Sequence, residues 1–236
     1  MKKARIGLIL PSSNYTMEPD FYKHIPIDRA TIHFARLLGK GASRESEEQM
    51  LKGLPLALDQ LKTADVDIIL FGCTSAGTLH GEGTEKEIET LINKRTGIKG
   101  VTVTRALSAI LNQLGAKRII LFTPYNKDLH DSVSNFMQGA GFEIVLSKGM
   151  GIVYGIADVE PEQIVEFVLD TLHEAGLLEN VGEGSYTLRD GDAIVFSCTN
   201  FKSWDCLEIM EKKVKTKYTT SNHALFTYVM QLLNLS

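Results

Sequence analysis

Cysteine is scarce: the 236-residue chain carries three, Cys73, Cys198 and Cys206. An odd, sparse set is no disulfide framework, and free thiols fit a reducing cytoplasm. Long apolar runs are missing too. None approaches the ~20 residues that span a bilayer, and the stretch after Met1-Lys2-Lys3 runs only from Ile6 to Leu10 before Pro11, too short for the core of a secretion signal. Positive charge is thin, with 25 Lys and Arg against 29 Asp and Glu and a formal net charge of −4. The densest basic stretch, Lys212-Lys213 with Lys215 and Lys217, reads as a solvated helix end, which argues against a nucleic-acid footprint. No Gly-x-Gly-x-x-Gly follows the first strand and no Gly-rich loop ends in Lys-Ser/Thr, so the dinucleotide and phosphate-loop fingerprints are absent. No Cys-x-x-Cys occurs, and His80 and His223 lack ligand spacing, which argues against zinc.

What is present is one short signal written twice. Ile68-Ile69-Leu70-Phe71-Gly72-Cys73-Thr74-Ser75 returns as Ala193-Ile194-Val195-Phe196-Ser197-Cys198-Thr199-Asn200. Each is an apolar run, a small residue, Cys-Thr, then Ser or Asn. Such runs read as buried strands, so each cysteine stands where a strand ends, the edge at which open parallel sheets bind ligands. A second pair supports duplication: Arg5 to Asn14 and Arg118 to Asn126 are both strands that end in Pro and reach Asn soon after. Pro11 and Pro124 lie 113 residues apart and the cysteines 125 apart, so the second half carries a 12-residue insertion.

Strands alternate with helices along the chain. Strands are expected over 4–10, 66–71, 101–103, 117–123, 142–147, 192–197 and 217–220. Helices are expected over 43–61, 84–96, 104–114, 127–139, 161–175, 203–214 and 222–233. The helix over 43–61 rests on the spacing of Met50, Leu51, Leu54, Leu58 and Leu61, with Glu45 to Glu48 as acids that suit the helix dipole. The Gly-rich, polar insert 178–191 is expected to be a surface loop. This alternation implies parallel sheets with helices on both faces, an α/β fold.

A thiol at a strand end facing a helix N-terminus is expected to have a lowered pKa. Backbone N–H groups of Thr74, Ser75, Thr199 and Asn200 would point into the same space, with neighbouring hydroxyls, as a carboxylate cradle. A lone buried cysteine is often a small hydrophobe, which is the reading for Cys206. Two in matched motifs read as Cys73 and Cys198 working from opposite faces of one carbon. Asn14 and Tyr125 taken singly would read as a cap and a packing ring.

Five motifs together resemble the maleate cis–trans isomerase and arylmalonate decarboxylase group of the aspartate/glutamate racemase superfamily: Pro11-Ser12-Ser13-Asn14-Tyr15-Thr16-Met17-Glu18-Pro19, Gly72-Cys73-Thr74-Ser75, Thr123-Pro124-Tyr125, Ser197-Cys198-Thr199-Asn200 and Ser221-Asn222-His223-Ala224-Leu225. The resemblance implies two Rossmann-like parallel-sheet lobes related by pseudo-twofold symmetry, with the active site in the cleft and neither metal nor organic cofactor. The first lobe would be 1–114, the second 115–221, and the helix 222–236 would return to the first. Cys73 would add to a double bond and Cys198 would assist proton transfer. Ser12, Asn14, Thr74, Ser75, Tyr125, Thr199 and Asn200 would hold the substrate. The alternatives are a racemase using both thiols as bases, a decarboxylase needing only Cys198, and a binder of small acids. The sequence departs from the isomerase pattern around Tyr154-Gly155-Ile156-Ala157. Expected partners are a small carboxylate or dicarboxylate and further copies of the chain, with no nucleic acid and no membrane, in the cytoplasm.

Overall fold

The computed structural model describes residues 3–81, 83–182 and 184–235. The first half runs β1 (Ala4–Pro11), α1 (Met17–His24), β2 (Ala30–Leu37), α2 (Arg44–Leu51), α3 (Leu54–Thr63), β3 (Ile68–Phe71), α4 (Thr74–Thr78), α5 (Thr84–Thr96), β4 (Gly100–Thr102) and α6 (Val103–Gln113). The second half runs β5 (Arg118–Tyr125), α7 (Lys127–Gly139), β6 (Glu143–Ile152), a 3-10 turn (Ile156–Asp158), α8 (Pro161–Glu174), β7 (Leu178–Gly182), β8 (Ser185–Leu188), β9 (Ala193–Phe196), α9 (Ser203–Lys213), β10 (Val214–Lys215), β11 (Lys217–Thr220) and α10 (Ser221–Leu232).

Two four-stranded sheets form, ordered β2-β1-β3-β4 and β6-β5-β9-β11, and every pairing within them is parallel. The orders correspond strand for strand: β1 matches β5, β3 matches β9 and β4 matches β11. The central strands are near-continuous apolar runs because helices cover both faces; Ile68 to Phe71 and Ala193 to Phe196 are all buried. The two cysteine motifs therefore occupy equivalent edges of two equivalent sheets.

The lobes interlock through their last helices. Thr102 caps α6, its side chain accepting from Arg105 N, and Thr220 caps α10 in the same way from His223 N. Leu107, Ile110 and Leu111 of α6 pack into the core around β5 and β9. Leu225, Val229 and Met230 of α10 pack into the core around β1 and β3.

Two expectations are corrected, and two elements were not anticipated. The helix over 43–61 is two helices broken at Lys52-Gly53, because Pro55 would drive its ring into the preceding turn of a continuous helix. The insert 178–191 is not a bare loop: β7 and β8 pair antiparallel and β10 joins β8, with Leu178, Tyr186 and Leu188 laid against the second core. Helix α1 and edge strand β2 had no counterpart in the sequence reading. Strand β2 is mostly half-buried, so it lacks the apolar run that marks the central strands. Among the described residues no helix is long and apolar enough to cross a membrane.

Candidate active site

The two cysteine edges face one cavity of about 210 Å³ between the lobes. Cys73, the residue before α4, enters it from the end of β3, and Cys198 from the end of β9. Behind Cys73 the chain is tightly packed. A Cβ on Gly72 would stand 2.6 Å from Met17 Sδ and 3.2 Å from the Ile9 carbonyl, so a larger residue there would have to push Met17 aside. Tyr125, the last residue of β5, is 3% exposed and lines the same wall.

The loop after β1 is clamped onto the second cysteine motif. Asn14 Oδ1 accepts from the N–H groups of Thr16 and Met17, at 3.1 and 3.0 Å, while its Nδ2 donates across the lobes to Thr199 Oγ1 at 3.0 Å. Thr199 Oγ1 in turn donates to the Gly72 carbonyl at 3.0 Å. Asn200 takes the Tyr15 N–H at 3.1 Å and gives to the Ser13 carbonyl at 3.2 Å. Deeper, Asn222 Nδ2 donates to Asp20 Oδ2 at 2.7 Å and to the Thr199 carbonyl at 3.0 Å. Asn14 thus caps a helix and also ties the lobes together.

Of the residues expected to form the site, Asn14, Cys73, Ser75, Tyr125, Cys198, Thr199 and Asn200 line the cavity. Ser12 and Thr74 do not. Ser12 is exposed, its hydroxyl bonded to the Gly39 carbonyl at 3.2 Å, and it borders a separate groove. The Thr74 hydroxyl is buried against Ser221 Oγ at 3.0 Å. The hydroxyls of Thr199 and Ser75 are also engaged within the protein, so their side chains are not free donors to a ligand.

Among the cavity residues that the motifs did not single out is a carboxylate. Glu47, on α2, is 5% exposed and lies within the site. Its Oε1 accepts from Ser75 Oγ at 2.6 Å and its Oε2 from Cys73 Sγ at 3.3 Å. Ser43 caps α2 by accepting from Ser46 N, and this fixes the turn that aims Glu47 inward. The sequence did carry a signal. Glu47, Met50 and Leu51 share one face of α2 at helical spacing, which puts a carboxylate in an apolar stripe.

Electrostatics overturn the expectation of a dipole-lowered thiol. Burial pushes the Cys73 thiol well above its ordinary value, and the Glu47 charge adds to that, against smaller opposing hydrogen bonds from Ser75 and the Ala76 N–H. Burial pushes Cys198 up to about 12, with the Tyr125 hydroxyl pulling the other way. Desolvation also raises Tyr125 well above the usual phenol range. Glu47 is raised by burial, partly offset by its bonds to Ser75 and Cys73. At Cys73 desolvation of the charged form exceeds what the five-residue α4 supplies, and α9 begins only at Ser203, beyond Cys198, so burial favours the protonated thiol at both positions.

The mouth is built from both lobes. The Ala42 N–H donates to the Val153 carbonyl at 2.8 Å. Gly41, at φ +81°, leaves room for the Tyr154 ring, whose edge would lie 2.5 Å from any Cβ there. The Tyr15 hydroxyl donates to Asp158, which raises its pKa. Lys40 and the aliphatic Val153, Ile156 and Ala157 complete the rim.

The family model for arylmalonate decarboxylase matches residues 6–236. A maleate isomerase of Geobacillus stearothermophilus is 24% identical over 247 residues, covering 99% of this chain and 93% of the relative. Among solved structures, the maleate cis–trans isomerase of Nocardia farcinica, as a cysteine-to-serine variant with a covalently bound succinylcysteine intermediate, aligns with a TM-score of 0.86 at 22% identity over 99% of this chain and 94% of that one. Arylmalonate decarboxylase itself aligns at 0.75 and 18% identity, over 97% and 92%. At these identities the structural likeness carries the fold.

Proposed function

The chain belongs to the arylmalonate decarboxylase family, and from that premise we propose that it is a cis–trans isomerase of a small unsaturated carboxylate, with maleate the leading candidate, Cys73 its nucleophile and Cys198 its proton carrier. The observation that carries the reading is the pair of buried thiols lining one small cavity beside Tyr125. A decarboxylase needs only the second thiol, and the first would then be an idle buried cysteine. Support also comes from the curated relative, a maleate isomerase, and from the cysteine adduct in the Nocardia enzyme.

The chemistry follows from the groups present. A thiolate at Cys73 adds to one alkene carbon, the π pair moves to the neighbouring carbon, and that carbon takes the proton of Cys198. The former double bond is now single and rotates. Cys198 then removes a proton from the same carbon, the double bond re-forms in the trans geometry, and Cys73 leaves. The cavity walls hold the reacting atoms at contact distance. Among the side-chain donors lining the cavity, Lys40, Tyr125 and the second N–H of the Asn14 amide are placed to hold a substrate carboxylate and stabilise charge as it builds there.

Proton NMR of maleate incubated with the protein tests this. Fumarate should accumulate, and Cys73→Ser and Cys198→Ser should each stop it, because a hydroxyl of far higher pKa cannot replace either thiol. Parallel tubes in deuterated water hold aspartate, glutamate and an arylmalonate. The paired thiols also suit a racemase, and solvent deuterium entering aspartate or glutamate while maleate stays unchanged would establish that reading instead. Loss of carbon dioxide from the arylmalonate that survives Cys73→Ser would make the protein a decarboxylase.

A further inference from the structure

We propose that Glu47 is a catalytic base: it takes the Cys73 proton as the sulfur attacks and returns it as the sulfur leaves. This rests on the reading of Cys73 as the nucleophile. That reading needs a thiolate, whereas burial favours the thiol.

A buried carboxylate is expensive unless it is paired and hydrogen-bonded. Glu47 makes no ion pair among the described residues. Its side-chain partners are the Ser75 hydroxyl and the Cys73 thiol. The other titratable groups around this cavity are Cys198, Tyr125, Tyr15, Tyr154, Asp158 and Lys40. An unpaired carboxylate that touches the reacting sulfur is placed for proton transfer. The arrangement is that of a nucleophile, a base and an orienting group. Ser75, at 2.6 Å on Oε1, fixes the carboxylate so that Oε2 faces the sulfur at 3.3 Å.

At rest the proton stays on sulfur, so transfer proceeds together with carbon–sulfur bond formation. The S–H bond breaks and its proton passes to Glu47 Oε2. The sulfur pair forms the S–C bond, the π pair goes to the neighbouring carbon, and Cys198 supplies that carbon's proton. The single negative charge moves from Glu47 to Cys198 across the cavity. Collapse of the adduct reverses each transfer and restores all three groups, so no co-reactant is needed.

Glu47→Gln keeps the shape and an acceptor for Ser75 but removes the base. Turnover should fall by ~10²–10⁴-fold near neutral pH. The deficit should narrow as pH rises toward values where the thiolate forms unaided, and Glu47→Asp should retain more activity than Glu47→Gln. The Cys73 thiol, followed by ultraviolet thiolate absorbance with Cys198 and Cys206 changed to Ser, should titrate at lower pH in Glu47→Gln, since a repelling charge is gone. More thiolate with less turnover is the signature of a lost base, and a purely structural role would not produce it. If Glu47→Gln fails to fold, Glu47→Ala should regain turnover with added formate. Turnover retained within about threefold, a deficit that does not change with pH, or no rescue by formate would overturn the proposal. An active Cys73→Ser would overturn it together with the nucleophile reading. An inactive Cys73→Ser beside an active Glu47→Gln would overturn Glu47 alone.

Discussion

Replacing Asp20 with Asn should make the protein more stable at neutral pH. Asp20 lies on α1, buried behind the site, with Asn222 Nδ2 on its Oδ2 at 2.7 Å. Burial lifts its carboxyl to about 6 from 3.8, against the pull of the Asn222 hydrogen bond. The unfolded chain therefore releases this proton more readily than the folded one. Below about pH 4 both states hold it and no penalty exists. Between pH 4 and 6 the unfolded state ionises first, and above 6 the folded protein carries the full penalty. Roughly two pKa units correspond to about 3 kcal/mol as an upper value. Asn cannot ionise, and its carbonyl oxygen still accepts from Asn222. The Asn222 Oδ1, buried without a partner among the described residues, is an acceptor for the N–H that the change adds. Urea unfolding, read by the fluorescence of the single tryptophan, Trp204, should show the variant ahead by up to about 2–3 kcal/mol at pH 7. The gap should close as pH falls from 6 to 4. A gap that ignores pH, or a less stable variant at pH 7, would refute the assignment of the penalty to this carboxylate.

Tyr125→Phe should cut kcat by ~10²–10³-fold while leaving the fold intact, because one donor to a developing oxyanion is lost; unchanged steady-state turnover would show that the hydroxyl is unused. Gly72→Ala should lose ~1–3 kcal/mol in urea titrations through overpacking against Met17, whose Sδ would stand 2.6 Å from the new Cβ. The loss from Gly72→Ala should be smaller in a Met17→Ala background than in the native one; an equal loss in both would move the strain to the Ile9 carbonyl.

The fold was legible wherever burial writes a pattern. β3 and β9 are buried on both faces, so they appear as matched apolar runs, and the matched Cys-Thr placed both thiols at strand ends. Strand β2 sits at a sheet edge, half-buried, and shows no such run. Pro55 marked a break that the periodicity of Met50 to Leu61 concealed. Asn14, Tyr125 and most residues beside the cysteines line the cavity as adjacency suggests, while Ser12 and Thr74 lie off it. Sequence shows that a hydroxyl is near; hydrogen bonding to Gly39 and Ser221 decides where it points. Glu47 lies 26 residues from Cys73 and was read with Glu45 and Glu48 as a dipole acid. Only its register with Met50 distinguished it. The direction of the thiol pKa values depends on desolvation, which no spacing reveals.

The crossed helices α6 and α10 bear on how the molecule comes apart. Each sheet has its core completed by a helix in contact with the other half. Neither sheet can lose its packing without stripping apolar cover from its counterpart, so the free energies of the two are not separable. Duplicated halves with independent cores would melt in two steps. Here a single cooperative transition is the expected outcome, with calorimetric and van't Hoff enthalpies equal. A cavity walled by both halves then persists for as long as the protein is folded at all.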